Sequence, residues 1–194
     1  MELIYPYDIA PVVPAPTAES MPERAVASEW FPIVEPNGLV IGRATRSYCH
    51  SGAKPLHPVI HIHIIDRMSR IYLQKRSMKK DIQPGKWDTA VGGHISYGES
   101  VLEAVYREAT EELGLHEFNP IHLETYEFES QVERELVNVF AAVGSYELTP
   151  DLDEVDEGRW WSIEDIDEAL GKNILTPNFE SEFKMIRKQL LALL

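Results

Sequence analysis

Polar and apolar residues recur along this chain with two periods, and the change of period marks its elements. His57 to Ile65 alternates, with Ile60, Ile62 and Ile64 on one face and Val59, His61 and His63 on the other, which predicts a strand. His61 and His63 are expected there as solvated or hydrogen-bonded residues rather than ligands. Before it, Trp30 to Val34 and Leu39 to Gly42 flank Glu35-Pro36-Asn37-Gly38, a hairpin with an Asn-Gly turn, and Arg43 to His50 reads as a short helix. After it, an Asp66 to Ser69 turn leads into a second strand, Arg70 to Lys75, and a basic loop spans Arg76 to Trp87. Ile121 to Ser130 and Glu135 to Gly144 predict two strands around a turn near Gln131 to Arg134. Asp151 to Glu157 reads as an acidic loop, Arg159 to Ser162 as a short strand and Ile163 to Leu170 as a helix. A closing helix, Phe179 to Leu193, spaces Phe183, Ile186, Leu190 and Leu193 along one stripe.

The period changes to that of a helix between Ser100 and Leu113. Ser100 with Glu103 three residues on is an N-terminal cap, and Gly114 a C-terminal one. Leu102, Val105, Ala109 and Leu113 form an apolar stripe, with Glu108 and Glu112 stacked one turn apart along its border and Glu111 nearby. Like charges at that spacing cost a helix about 0.2–0.5 kcal/mol per pair, so a compensating cation is expected. Carboxylate oxygens suit Mg²⁺ or Mn²⁺ better than zinc. A solvated acidic face carries similar runs of glutamate. The glycines, Glu99 and Arg107 around these carboxylates set this stretch apart.

Composition narrows the function classes. With 194 residues, 44% of them hydrophobic, the chain can bury a core of one ordinary domain. A net charge of -14 argues against a nucleic-acid backbone or an anionic membrane surface as partner. A small phosphate ligand remains compatible with it through a metal and a local basic pocket. The lone Cys49 cannot form an internal disulfide and is expected as a packed thiol; no run approaches a membrane span, so a soluble, cytoplasmic protein is expected. Residues 1–28 contain Pro6, Pro11, Pro14, Pro16 and Pro22 without periodicity and read as an arm. Its apolar residues would pack on the domain or on a second copy, making a homodimer an expectation.

From Gly93 to Leu115 the chain reads GHISYGESVLEAVYREATEELGL, which resembles a complete Nudix box, with Ala109 at a slot that often takes a bulkier aliphatic residue. The resemblance implies a Nudix domain over 29–194, an α/β/α sandwich with a mixed sheet and the box as loop-helix-loop. It also implies Mg²⁺-dependent hydrolysis of a diphosphate bond in a small nucleoside-diphosphate-type metabolite. Glu108, Glu111 and Glu112 would then hold the metals with the Gly93 carbonyl, and Arg107 would orient them together with Glu99. Glu111 or Glu112 would be the base, with a residue of Glu154 to Glu157 as the other candidate.

From about Phe31 to Trp161 the chain is similar to Nudix relatives of isopentenyl diphosphate isomerase. His50, His57, His94, Glu133 and Glu135 match the ligands of a second metal in that family, and Arg76 and Lys80 match its diphosphate-binding positions. Gly92 stands where those isomerases have their catalytic cysteine, and Glu108 where bacterial isomerases can have arginine. Both departures favour hydrolysis. An isomerase-like enzyme and a non-catalytic nucleotide-binding regulator are the alternative functions.

Overall fold

The computed structural model describes residues 29–79, 83–151 and 155–193; the arm, Lys80 and Glu154 lie outside them. In chain order the elements are β1 (Trp30–Val34), β2 (Val40–Thr45), α1 (Arg46–Cys49), β3 (Leu56–Ile65), β4 (Ile71–Arg76), β5 (Trp87–Asp88), β6 (Val91–His94), α2 (Val101–Leu113), β7 (Ile121–Glu129), β8 (Arg134–Val143), β9 (Val155–Trp161), α3 (Ile163–Ala169) and α4 (Pro177–Leu191). β1 and β2 form a two-stranded ribbon. The other strands form a seven-stranded sheet in the order β5-β4-β3-β8-β7, with β6 also on β3 and β9 also on β4. Two compact units are distinguished. Of the described residues, one contains 29–60, 93–104 and 125–138, and the other 61–79, 83–92, 105–124, 139–151 and 155–193.

In the first unit, the ribbon is antiparallel, with Trp30 opposite Thr45 and Phe31 opposite Ala44. Its turn is the Asn-Gly pair: Gly38 has φ 83°, a conformation glycine adopts without strain, and the Leu39 N–H donates to Asn37 Oδ1 at 3.0 Å. The helix expected over Arg43 to His50 is shorter. Arg43 and Ala44 pair with Pro32 and Phe31, so the ladder claims that backbone. The helix starts only after Thr45, whose side chain accepts from the Tyr48 N–H at 3.3 Å. Phe31, Ile33, Ala44 and Cys49 form a buried cluster. Burial pushes the Cys49 thiol up to about 12, which makes it the packed, unreactive thiol expected.

In the second unit, β4 is antiparallel to the end of β3, to β5 and to β9. β9 begins at Val155, inside the stretch read as an acidic loop, because Lys75 and Gln74 pair with Glu157 and Gly158. The absence of a side chain at Gly158 admits the Tyr72 ring, whose hydroxyl would stand 1.8 Å from a Cβ there. Arg76 and Trp87, read as loop ends, belong to β4 and β5. α3 begins with a Ser162–Asp165 capping box, and α4 with Thr176 as cap followed by Pro177, two residues earlier than the pattern suggested. Ile64, Ile65, Ile71, Leu73, Leu113, Phe183, Ile186 and Leu190 are fully buried. Among the described residues no helix is long and apolar enough to cross a membrane.

Phe183 has no exposed surface and stacks on Phe179 at 5.7 Å between centroids. Phe183→Ala should therefore cost about 3–5 kcal/mol of stability, read as a lower urea midpoint with an unchanged slope. A loss below about 1 kcal/mol would show that the cavity collapses.

Candidate active site

α2 carries the carboxylates, and its start is set by reciprocal bonds: the Glu103 N–H donates to Ser100 Oγ at 3.3 Å, and the Ser100 N–H to Glu103 Oε2 at 2.8 Å. Val105, Ala109 and Leu113 are fully buried, so the helix turns its charged residues elsewhere; Leu102, placed on the same stripe, is only partly buried. Arg107 Nη1 donates to Glu108 Oε1 at 2.8 Å and to Glu111 Oε2 at 3.2 Å. Gln74 Nε2 of β4 donates to Glu112 Oε2 at 2.9 Å. The three carboxylates are not equivalent. The Glu108 side chain is 13% exposed and that of Glu111 60%, so one is sheltered and the other solvated. Hard carboxylate oxygens gathered on one helix fit Mg²⁺ or Mn²⁺.

Gly93 and Glu99 belong to the first unit. Glu99 Oε2 accepts from the Ser96 N–H at 2.9 Å, and its own N–H donates to the Ser96 carbonyl, a closed turn ahead of α2. Arg76 Nη1 lies 3.3 Å from Asp88 Oδ2, while Asp88 Oδ1 accepts from the Thr176 hydroxyl at 2.9 Å. That network fixes Arg76 where β4 meets β5.

The first unit brings His50, His57 and His94 together, with one ring nitrogen of each within 4.8 Å of the others. α1 ends at His50, β3 carries His57 and β6 ends at His94. His50 Nε2 and His94 Nε2 are 3.1 Å apart, so one must carry a proton to bond the other. Glu133 Oε2 lies 3.6 Å from His50 Nε2, and Glu135 Oε1 3.8 Å from His94 Nε2. His57 Nδ1 donates to the Pro55 carbonyl at 3.0 Å, which leaves the lone pair on Nε2, and Nε2 is buried with no hydrogen-bond partner. A buried orphaned acceptor, with its tautomer fixed by a backbone carbonyl, is the arrangement a metal-ligating histidine takes. Burial lowers the His57 pKa to about 4, against the raising effect of the Pro55 bond, and burial also lowers that of His50 despite Glu133.

Three partners were not read from the sequence. Phe31 is fully buried and stacks on His94 at 4.3 Å and 4°, and on His57 at 5.6 Å and 15°. Gln74 is the donor to Glu112. Glu182 accepts from His61 Nδ1 and from His63 Nε2, both at 2.7 Å, so these histidines are hydrogen-bonded rather than solvated. Glu182 had a signal: it falls beside Phe179, Phe183 and Ile186 on the buried stripe of α4, where a lone carboxylate demands a partner.

The model of the NUDIX domain matches residues 55–181. The chain belongs to the Nudix family. A protein named isopentenyl-diphosphate Delta-isomerase from Leifsonia xyli is 35% identical over 132 residues, 64% of this chain and 71% of its own length. The uncharacterized Nudix hydrolase YfcD of Salmonella typhi is 32% identical over 143 residues, 74% of this chain and 77% of its own. Among solved structures, a Deinococcus radiodurans protein gives a TM-score of 0.69 at 18% identity, covering 81% of this chain and 99% of that one. The MutT protein of Methanosarcina mazei gives 0.60 at 25%, covering 70% and 96%. The fold is the Nudix α/β sandwich with its mixed sheet. The family's general chemistry is hydrolysis of diphosphate-type substrates with divalent metals.

The depressed His57 pKa makes a signed prediction for chelator-treated Nudix protein. Between about 6.5, the ordinary imidazole value, and about 4, the unfolded chain binds a proton that the native state refuses. Stability is therefore full above pH 6.5 and falls as pH drops toward 4. Denaturant titrations at pH 7 and 5 should show that loss, and His57→Gln should flatten the slope.

Proposed function

We propose that the protein is a Mg²⁺-dependent diphosphohydrolase that cleaves the diphosphate bond of a small nucleoside-diphosphate-type metabolite. The observation that carries this is α2, on which Glu108, Glu111 and Glu112 are positioned by Arg107 and Gln74. These three carboxylates would hold Mg²⁺. When bound, the ion supplies charge neutralisation at the diphosphate and a lower pKa for water. Arg107 aims Glu108 and Glu111 by charge-assisted bonds, and Gln74 aims Glu112 with a neutral donor. Arg76, fixed by Asp88, and Lys80 would offer cations to the diphosphate. That local charge is what a chain of net charge -14 needs in order to hold an anionic substrate.

A second reading follows from the histidines. His50, His57 and His94, with Glu133 and Glu135, would hold a second cation, and the orphaned His57 Nε2 supports it. With relatives named isopentenyl-diphosphate isomerase, that cation would serve carbon chemistry in an isomerase-like enzyme. Gly92 supplies no thiol, which weighs for hydrolysis.

Phosphorus NMR of the protein with Mg²⁺, a panel of nucleoside diphosphate compounds and isopentenyl diphosphate separates the readings. Cleaved diphosphate is expected. An intact diphosphate on a rearranged carbon skeleton would instead establish the isomerase reading. Glu112→Gln should lower turnover by more than the about 100-fold seen for loss of an outer-shell partner, with little change in melting temperature; unchanged turnover would overturn the metal assignment.

A further inference from the structure

We propose that Gln74 is a positioning residue of the metal site with two tasks: its amide nitrogen aims Glu112, and its amide oxygen accepts from the water shell of the cation. The inference rests on the reading that Mg²⁺ is held by the α2 carboxylates, and it adds to them a group from β4, outside the Nudix stretch.

Gln74 stands inside β4, opposite Asp88 of β5 on one side and Gly158 of β9 on the other. Two ladders hold its backbone, so only the side chain has a choice of partner. Nε2 donates to Glu112 Oε2 at 2.9 Å. That bond settles which way the amide faces. A carboxylate accepts and does not donate, so the NH₂ end must meet Glu112 and the oxygen must point elsewhere. Oε1 is buried and has no hydrogen-bond partner. The side chains two residues away on the same face of β4 do not supply one. The Tyr72 hydroxyl occupies the space that a side chain at Gly158 would take, and the Arg76 guanidinium is held by Asp88.

A buried amide oxygen without a donor is rare in a folded protein and marks the place of a water or an ion. At Gln74 the neighbour across the amide is a carboxylate of the proposed cation site, which makes the missing donor specific. Mg²⁺ keeps several of its waters when protein carboxylates hold it, and each of those waters has protons to give. An amide that donates to a metal-holding carboxylate and accepts from the ion's hydration shell fixes both at once, as outer partners of metal ligands do. The two tasks are separable by substitution. Leucine at this position has neither donor nor acceptor, whereas glutamate keeps the acceptor and loses only the N–H.

The experiment titrates the full chain with Mn²⁺ alone, without substrate, and follows the free ion by electron paramagnetic resonance; the binding step that Glu112→Gln removes is the one read. Gln74→Leu should weaken that step by about 10–100-fold with the metal-free melting temperature little changed. Should it fold poorly, Gln74→Met carries the same test. Gln74→Glu repels Glu112 until a cation binds, so it should take up Mn²⁺ as tightly as the wild type or more tightly, with a larger rise in melting temperature on adding the ion. Lys75→Gln makes the same change in net charge from the next residue, which faces the other side of the strand, and should leave the affinity unchanged. Wild-type affinity in folded Gln74→Leu overturns the inference. So does a Gln74→Glu as weak as Gln74→Leu, which would leave Gln74 with the aiming of Glu112 alone, and so does an equal tightening in Lys75→Gln, which would make the glutamate effect one of net charge. No Mn²⁺ step dependent on Glu112 in the wild type overturns the metal assignment and this inference with it. Mn²⁺ binding without diphosphate cleavage counts against the hydrolase reading only.

Discussion

The strand β3 is buried along almost its whole length and yet carries imidazoles at 57, 61 and 63, all on one face by the two-residue period of a strand. No solvent reaches two of these rings, so each nitrogen needs a protein partner or a cation. The chain answers this differently at each position. A backbone carbonyl takes Nδ1 of His57 and leaves the opposite nitrogen open. A single carboxylate, Glu182, takes one nitrogen from each of the other two. Burial lowers the His57 pKa against the pull of the Pro55 bond, and at Glu182 the two imidazoles outweigh burial and hold the carboxyl well below the usual range.

Hydrogen bonding plays the corresponding part on α2. Its apolar stripe fixes which way the helix faces, and the carboxylates follow at the border of that stripe. Arg107 orients Glu108 and Glu111 with a charged donor, and Gln74 orients Glu112 with a neutral one. The acidity of the chain as a whole is a separate matter. It sets which partners are repelled, whereas the local donors at Arg107, Gln74 and Arg76 decide what a small anion meets.

Legibility in the sequence followed how local the determining interaction was. The hairpin at Asn37-Gly38 and the start of α2 at Ser100 were readable, because a turn glycine or a capping pair acts within four residues. The stretch around Arg43 was misread as helix since its fate depends on pairing with Phe31 and Pro32, eleven or more residues away. Glu157 and Gly158 were misread as loop for the same reason: their partners are Lys75 and Gln74. Charged residues on an exposed strand look like loop residues when the ladder that holds them is not in view.

By itself, the sequence determined the family, because the Nudix stretch has its glycines, arginine and glutamates at the family's spacings over one helix and its two loops. It also determined that His50, His57 and His94 deserved to be considered together. Tertiary structure alone decided that their rings meet, that Phe31 stacks against two of them and that Gln74 reaches Glu112. It decided as well that His61 and His63 share Glu182, about 120 residues away along the chain. Such contacts have no period and no fixed spacing. They arise where packing of a buried strand against a helix puts an imidazole and a carboxylate in the same dry space, leaving each the other's best replacement for water.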